Sequence, residues 1–467
     1  MLVHIMRAIH SLILFAYVLL LCGCKKQIGK SVMQETILTT GKYGHTLNAT
    51  QVFSPDDLWI LYDTRNEDSH IQSTGSIEKV HVETGEVVKV YEVEKQTAFG
   101  PGVGAVACHP YEDKIIFIHG LLNCDEQHPY GFTRRFGAIV DTDKPSFVHA
   151  EARTIQEPLI AGALRGGTHA HTWSGDGNWI SFTYNDYLME MLEKSTEGAV
   201  KDLRTIGVMT SVRKVKVSTE DDENFSGEYF AVVTATVNEK PEPGSDEIER
   251  AFDECWIGKD GYSKVDGTKQ NYAIAFQGNI RTADGGQVTE VFVADIPEDI
   301  TRSDKDKPLE GTTTTRPNVP KGLKQRRVTF TTDRKHAGIQ GPRFRLRSSP
   351  DGSELFFLMK DDIGIVQVFS VPTQGGSFRQ ITQLDSSIQA QFNVSPDGKL
   401  LSVVADNSIW LVDTDSGEMV RVSERTNDED RPVGGALWSH DGKILVFNRY
   451  VSADNKPYLQ IVKINVN

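Results

Sequence analysis

Ser349-Pro350-Asp351-Gly352, followed two residues later by Leu355-Phe356-Phe357-Leu358, is the stretch that decides the fold. Proline at the second position holds φ near about −65°. Aspartate caps its own turn and glycine supplies the positive φ, so the phrase reads as a tight hairpin leading into a buried strand. The phrase returns as Ser395-Pro396-Asp397-Gly398 before Leu400–Val403, and as Ser439-His440-Asp441-Gly442 before Ile444–Phe447. Earlier copies are Ser54-Pro55-Asp56-Asp57, His109-Pro110 and Ser174-Gly175-Asp176-Gly177, each ahead of an apolar run. The last three serines are spaced by 46 and 44 residues, close to the roughly 40–45 residues of a four-stranded propeller blade.

Working outward, third strands read as Gln367–Val371 and Ile409–Asp413, and outer strands as Phe378–Thr382 and Arg326–Phe330. Between Ser174 and Ser349 the phrase is missing. Strands at Tyr229–Val237, Tyr272–Gln277 and Val291–Ala294 are expected to supply one further blade there. Asn185-Asp186 is suited to cap a short helix at Tyr187–Lys194 in blade 3, and Ser245 with Asp246 and Glu247 to start another, through Trp256, in blade 4. The count is seven blades in an all-β chain. The last blade shows only three strands of its own, so Thr36–Thr39 is expected to add the fourth and close the ring, removing the open edges.

Arg7, the apolar run Leu12–Leu21 and then Leu21-Cys22-Gly23-Cys24 have the layout of a secretory signal. The run falls short of the roughly 20 residues that span a bilayer. Leucine at −3 and glycine at −1 resemble a bacterial lipobox, which implies cleavage before Cys24 and a lipid on its thiol. The expected division is residues 1–23 as signal, 24–35 as tether and 36–467 as propeller. Lys25 and Lys26 follow without an aspartate, so the expected address is the periplasmic side of the outer membrane. The formal charge of −14 carries no basic block, which excludes a nucleic-acid footprint. Three cysteines beyond Cys24 (Cys108, Cys124, Cys255) are too few for a disulfide framework.

Inner strands line the channel of a propeller, and the funnel there is the expected ligand site. His169 and His171 lie two apart on such a strand, so regular alternation places both imidazoles on one face. Two such histidines suit a divalent metal (Mn, Ca or Zn) if a third ligand, with His45 as candidate, arrives from another blade. Gln340, Gln389 and Gln391 occupy comparable inner positions. Arg165, Arg343 and Arg345 would suit a carboxylate ligand. His109, His440 and the recurring aspartates read instead as turn residues.

The repeated phrase resembles the TolB-type, WD40-like propeller repeat. Longer stretches resemble a bacterial propeller family of unknown function, among them Tyr62-Asp63-Thr64-Arg65, Leu164-Arg165-Gly166-Gly167-Thr168-His169-Ala170-His171 and Gly338-Ile339-Gln340-Gly341-Pro342-Arg343. The paired histidines are similar, more distantly, to those of oligogalacturonate lyases, whose funnel holds a metal on three His and a Gln. That resemblance implies a metal-dependent lyase acting on acidic oligosaccharides as the alternative to a propeller that binds a saccharide or protein ligand.

Overall fold

The repeated phrase closes the same turn wherever it occurs in the computed structural model, which describes residues 32–466 apart from Ala49 and Ala199. Cys24 and the expected signal segment lie outside the described residues. In blade 3, Ser174 Oγ donates to Asp176 Oδ1 (2.5 Å) and accepts from the Trp179 N–H (3.0 Å), while Gly177 sits at φ +75°. Ser349, Ser395 and Ser439 repeat these contacts with Asp351, Asp397 and Asp441. Asp57 stands at φ +59° where the other copies have glycine. Its carboxylate accepts the backbone N–H groups of His440 (2.9 Å) and Asp441 (3.0 Å), tying the first turn to the last. The turn aspartates are therefore turn-makers, as expected. His109 does the same kind of work, accepting at Nδ1 from Tyr111 and Glu112 N–H.

Six antiparallel four-stranded sheets and one three-stranded sheet form the blades. The three-stranded sheet is blade 1, whose inner segment pairs only through the bridges Thr46↔Asp63 and Phe53↔Ile60. Seven apolar clusters fill the seven gaps between neighbouring blades. Strand alternation makes this possible: Ile60 and Tyr62 face blade 7 while Leu61 faces blade 2. Each fully buried Leu, Ile or Phe contributes about 1.5–3 kcal/mol, so the ring is held by its gaps rather than by one central core.

Closure comes from Glu35–Ile37, paired antiparallel with Lys456–Asn465 in the register Thr36↔Lys463. The Met33 N–H also donates to Val422 O at 2.9 Å, a contact with blade 6 three residues ahead of Thr36.

The helix in blade 3 runs from Tyr187 to Ser195, capped by Asp186 through the Met189 N–H, with Glu190 in its first turn and Lys194 in its last. The helix expected in blade 4 is instead that blade's inner strand, Ile248–Trp256. The apolar spacing Ile248, Ala251, Phe252, Cys255, Trp256 imitates a helical stripe because register shifts between Ile248/Arg250 and Phe252/Cys255 interrupt the two-residue period. Ser245 makes a local turn instead, its Oγ donating to Glu242 O at 2.7 Å. The strand expected at Tyr229–Val237 also changes place: Phe230–Val233 is the outer strand of blade 3. Blade 4 lacks the turn phrase because a small hairpin, Tyr262–Ser263 with Lys269–Gln270, occupies that connection.

Candidate functional site

Strands a to d run from the axis outward, so the a–b turns gather at one mouth of the channel and the b–c and d–a loops at the other. The inner strands do not run straight between the mouths. Ala105, Ala170, Asp253 and Phe344 each take a left-handed backbone, at φ +56°, +58°, +50° and +57°. In blades 2, 3 and 4 this residue coincides with a register shift against the neighbouring strand. The bulges turn these residues onto the axis, where they line a narrow cavity of about 80 Å³ with Asn48, Arg347 and Gln391. A wider cavity of about 540 Å³ opens at the a–b turns.

The bulge at Ala170 removes the alternation on which the metal expectation for His169 and His171 rested. His171 is buried, with Nε2 2.9 Å from Thr168 Oγ1. That hydroxyl donates to Glu151 Oε1 at 2.5 Å, so the imidazole keeps its proton on Nε2. Burial, with the charge of Arg135, pushes the His171 pKa down to about 3, and burial pushes the Glu151 pKa up to about 7. His45 is embedded in the wall between blades 7 and 1. Its Nδ1–H donates to Leu459 O at 3.0 Å and its ring stacks on Tyr43.

Arg165 is likewise fully buried and engaged, donating to Asp186 and to the carbonyls of Glu310 and Thr312. It anchors the long loop between the third and fourth strands of blade 4 and offers no donor to the funnel. Gln389 pairs with Asn407, whereas Gln391 does line the channel. Gln340 donates to Ala337 O at 2.6 Å. Arg345 donates to the carbonyls of Gly341 and Pro342.

What converges at the b–c mouth is a cluster of arginines around one ring. The Phe132 side chain, 61% exposed, lies 4.9 Å from the Arg135 guanidinium carbon and 5.3 Å from that of Arg204. Arg135 is only 3% exposed; its Nη1 donates to Tyr130 Oη at 3.0 Å, yet Nε and Nη2 are buried without a partner among the described residues. His169 Nδ1 is also buried without a partner. Burial, then the charges of Arg135, Arg204 and Arg343, hold its pKa well below the usual histidine value, so it is neutral. Burial, then Arg250 and Arg135, lower the Arg204 pKa to about 10, which leaves it charged. Deeper in, Glu254 accepts from Thr183 Oγ1 at 2.7 Å and has its other oxygen unpartnered. Burial raises its pKa to about 8, so it is largely neutral near pH 7.

Buried guanidinium N–H groups are expensive to leave unpaired. In a chain of charge −14, cations held this way define an electropositive patch suited to a planar anion. Inner-strand position alone could not disclose it. Arg135 begins the third strand of blade 2, and Arg204 immediately precedes the third strand of blade 3. The available signal was the recurrence of an arginine at that position in successive blades.

A solved oligogalacturonate lyase in complex with manganese shares the fold, with a TM-score of 0.53 and 12% identity, over 95% of this chain and 94% of that one. A puromycin hydrolase aligns over 92% of this chain and 53% of its own, with a TM-score of 0.50 and 11% identity. These likenesses concern the fold alone. The residues here do not fit a resident metal, because among the described residues no three His, Cys, Asp or Glu side chains are grouped so as to hold an ion. Residues 102–225 match the model of a protein family of unknown function, DUF3748. The uncharacterized protein YidR of Escherichia coli is 37% identical over 414 residues, which is 88% of this chain and 94% of YidR. Likeness of that degree over nearly the whole length places the chain in one family with YidR, a family of unknown function built here as a seven-bladed β-propeller.

Proposed function

We propose that the chain is a binding propeller for an acidic ligand, of the class of uronate oligosaccharides, taken up at the b–c mouth of its funnel. The observation that supports this reading is the Arg135 guanidinium, buried with two nitrogens that have no partner among the described residues, beside Arg204, Phe132 and His169. A ligand carboxylate would supply the missing acceptors, and Phe132 an apolar face for a sugar ring. Arg343 and Arg345 extend the same positive field along blade 5. In this reading the propeller faces the periplasm from a lipid anchor on Cys24, and the anchor is tested by whether the expressed chain sediments with membranes.

Isothermal titration with trigalacturonate and with a neutral trisaccharide of equal length tests the ligand class. Trigalacturonate should bind with an affinity that falls as salt is raised, and the neutral sugar should not bind. Arg135→Gln should weaken trigalacturonate binding at least tenfold, since a hydrogen bond to a charged group is worth about 1.5–3 kcal/mol. Equal affinity for both sugars would refute the acidic-ligand reading. Release of an unsaturated product, seen as new ultraviolet absorbance, would replace simple binding with the lyase alternative.

A further inference from the structure

Asp68 lies on the loop between the second and third strands of blade 1, after Trp59–Asp63 and before Ser76–His81. Its Oδ2 accepts from Arg343 Nη1 at 2.8 Å, and Arg343 belongs to the segment leading into Leu346–Ser348 of blade 5. Blades 1 and 5 are not neighbours; blades 6 and 7 separate them by the shorter path round the ring. The contact therefore reaches across the mouth of the channel, where the Arg343 charge also acts on His169.

Asp68 Oδ1 is held at 2.8 Å by Asn48 Nδ2 and lies 3.6 Å from Arg65 Nη1. The loop that carries it is pinned on both sides of Asp68. Asn66 donates to Pro457 O and accepts the Leu459 N–H, and the Thr74 carbonyl accepts the Val103 N–H. Between these points the chain is exposed, with His70 at φ +64°. The side chains of Arg343 and Asp68 are 60% and 50% exposed. An ion pair that open to water is worth no more than about a fivefold change in an equilibrium constant, so a better placed carboxylate can take the arginine at little cost.

We infer that Asp68 is a built-in stand-in for the ligand's carboxylate, occupying Arg343 while the funnel is empty and giving way when an acidic ligand enters. The inference rests on the acidic-ligand reading above and names one of its carboxylate subsites. It also sets specificity. A ligand must bring its own carboxylate to Arg343 to compensate for the contact it breaks, so a uronate is favoured over a neutral sugar of the same shape.

Titration of trigalacturonate into wild type, Asp68→Asn, Arg343→Gln, the double variant and Glu67→Gln tests this. Asparagine keeps an oxygen for Asn48 and loses the charge that holds Arg343, so Asp68→Asn should tighten binding roughly two- to fivefold. The gain should vanish in the Arg343→Gln background, because the two side chains act as one unit. Glu67→Gln removes the same charge from the adjacent residue and should leave affinity unchanged. If Asp68→Asn binds no tighter than wild type, or if Glu67→Gln tightens binding equally, the stand-in is overturned while ligand binding itself stands. If neither wild type nor Asp68→Asn binds trigalacturonate, the acidic-ligand reading falls and the stand-in with it.

Discussion

Replacing Arg65 by methionine should lower folding stability by about 3–5 kcal/mol, because it leaves a buried carboxylate uncompensated. Asp63 and Arg65 are 0% and 1% exposed at their side chains, and they form a bidentate pair, with Nε to Oδ1 at 2.7 Å and Nη2 to Oδ2 at 2.8 Å. Asp63 Oδ2 also accepts the N–H of Ala105 at 2.9 Å, the left-handed residue of blade 2's inner strand. The Arg65 carbonyl accepts from Thr46 Oγ1 at 2.7 Å. One ion pair thus fastens blade 1's weakly paired inner segment, its second strand and the bulge of blade 2. Methionine fills much of the volume but offers no donor. Changing both residues to apolar ones, as in Asp63→Leu with Arg65→Met, should recover part of the loss, since the desolvated charge is then gone. Urea unfolding of the three variants measures this, and a loss below 1 kcal/mol in Arg65→Met would contradict the account.

The same residues show what the sequence could and could not disclose. The Ser-Pro-Asp-Gly phrase is a local object whose serine, aspartate and glycine satisfy one another within six residues, so it survives any tertiary context and reveals the blade count. Closure by the segment at Thr36 was legible for a related reason, because the last blade was one strand short. Blade 4 departs from the expected helix because Ser245, Asp246 and Glu247, suited to start one, form a local turn ahead of the strand Ile248–Trp256, whose alternation two register shifts interrupt. The reading of His169 and His171 depends on the same regularity. Their spacing is meaningful only on a regular strand, and Ala170 at φ +58° makes this one irregular. Arg135, Arg204 and Asp68 could not be placed at the funnel at all without knowing that b–c loops of different blades share a mouth. That is a property of the closed ring, not of any segment.

Glu151→Gln should change the pH dependence of stability by about 3 kcal/mol between pH 5 and pH 9. Glu151 is 1% exposed, and burial raises its pKa to about 7 from an ordinary value of 4.5. With the folded value above the unfolded one, the folded state holds the extra proton between these limits. The stabilising contribution of Glu151 is therefore fully present below pH 4.5 and is lost as pH rises through 7. A shift of this size corresponds to about 3 kcal/mol at 1.36 kcal/mol per unit. Glutamine stays neutral throughout and retains an oxygen for the Thr168 hydroxyl and the Gly137 N–H, which Glu151 accepts in the native chain. Its amide N–H groups add a fixed cost at every pH, so the difference between the two pH values is the informative quantity. Wild type should lose stability relative to the variant as pH is raised, measured by chemical unfolding at pH 5 and pH 9. A parallel pH response in the two proteins would mean that Glu151 is ionised in the folded state well below pH 7. In that case a charged carboxylate would sit behind Thr168 and His171, and the wall beside the arginine cluster would already carry the negative charge that an acidic ligand must overcome.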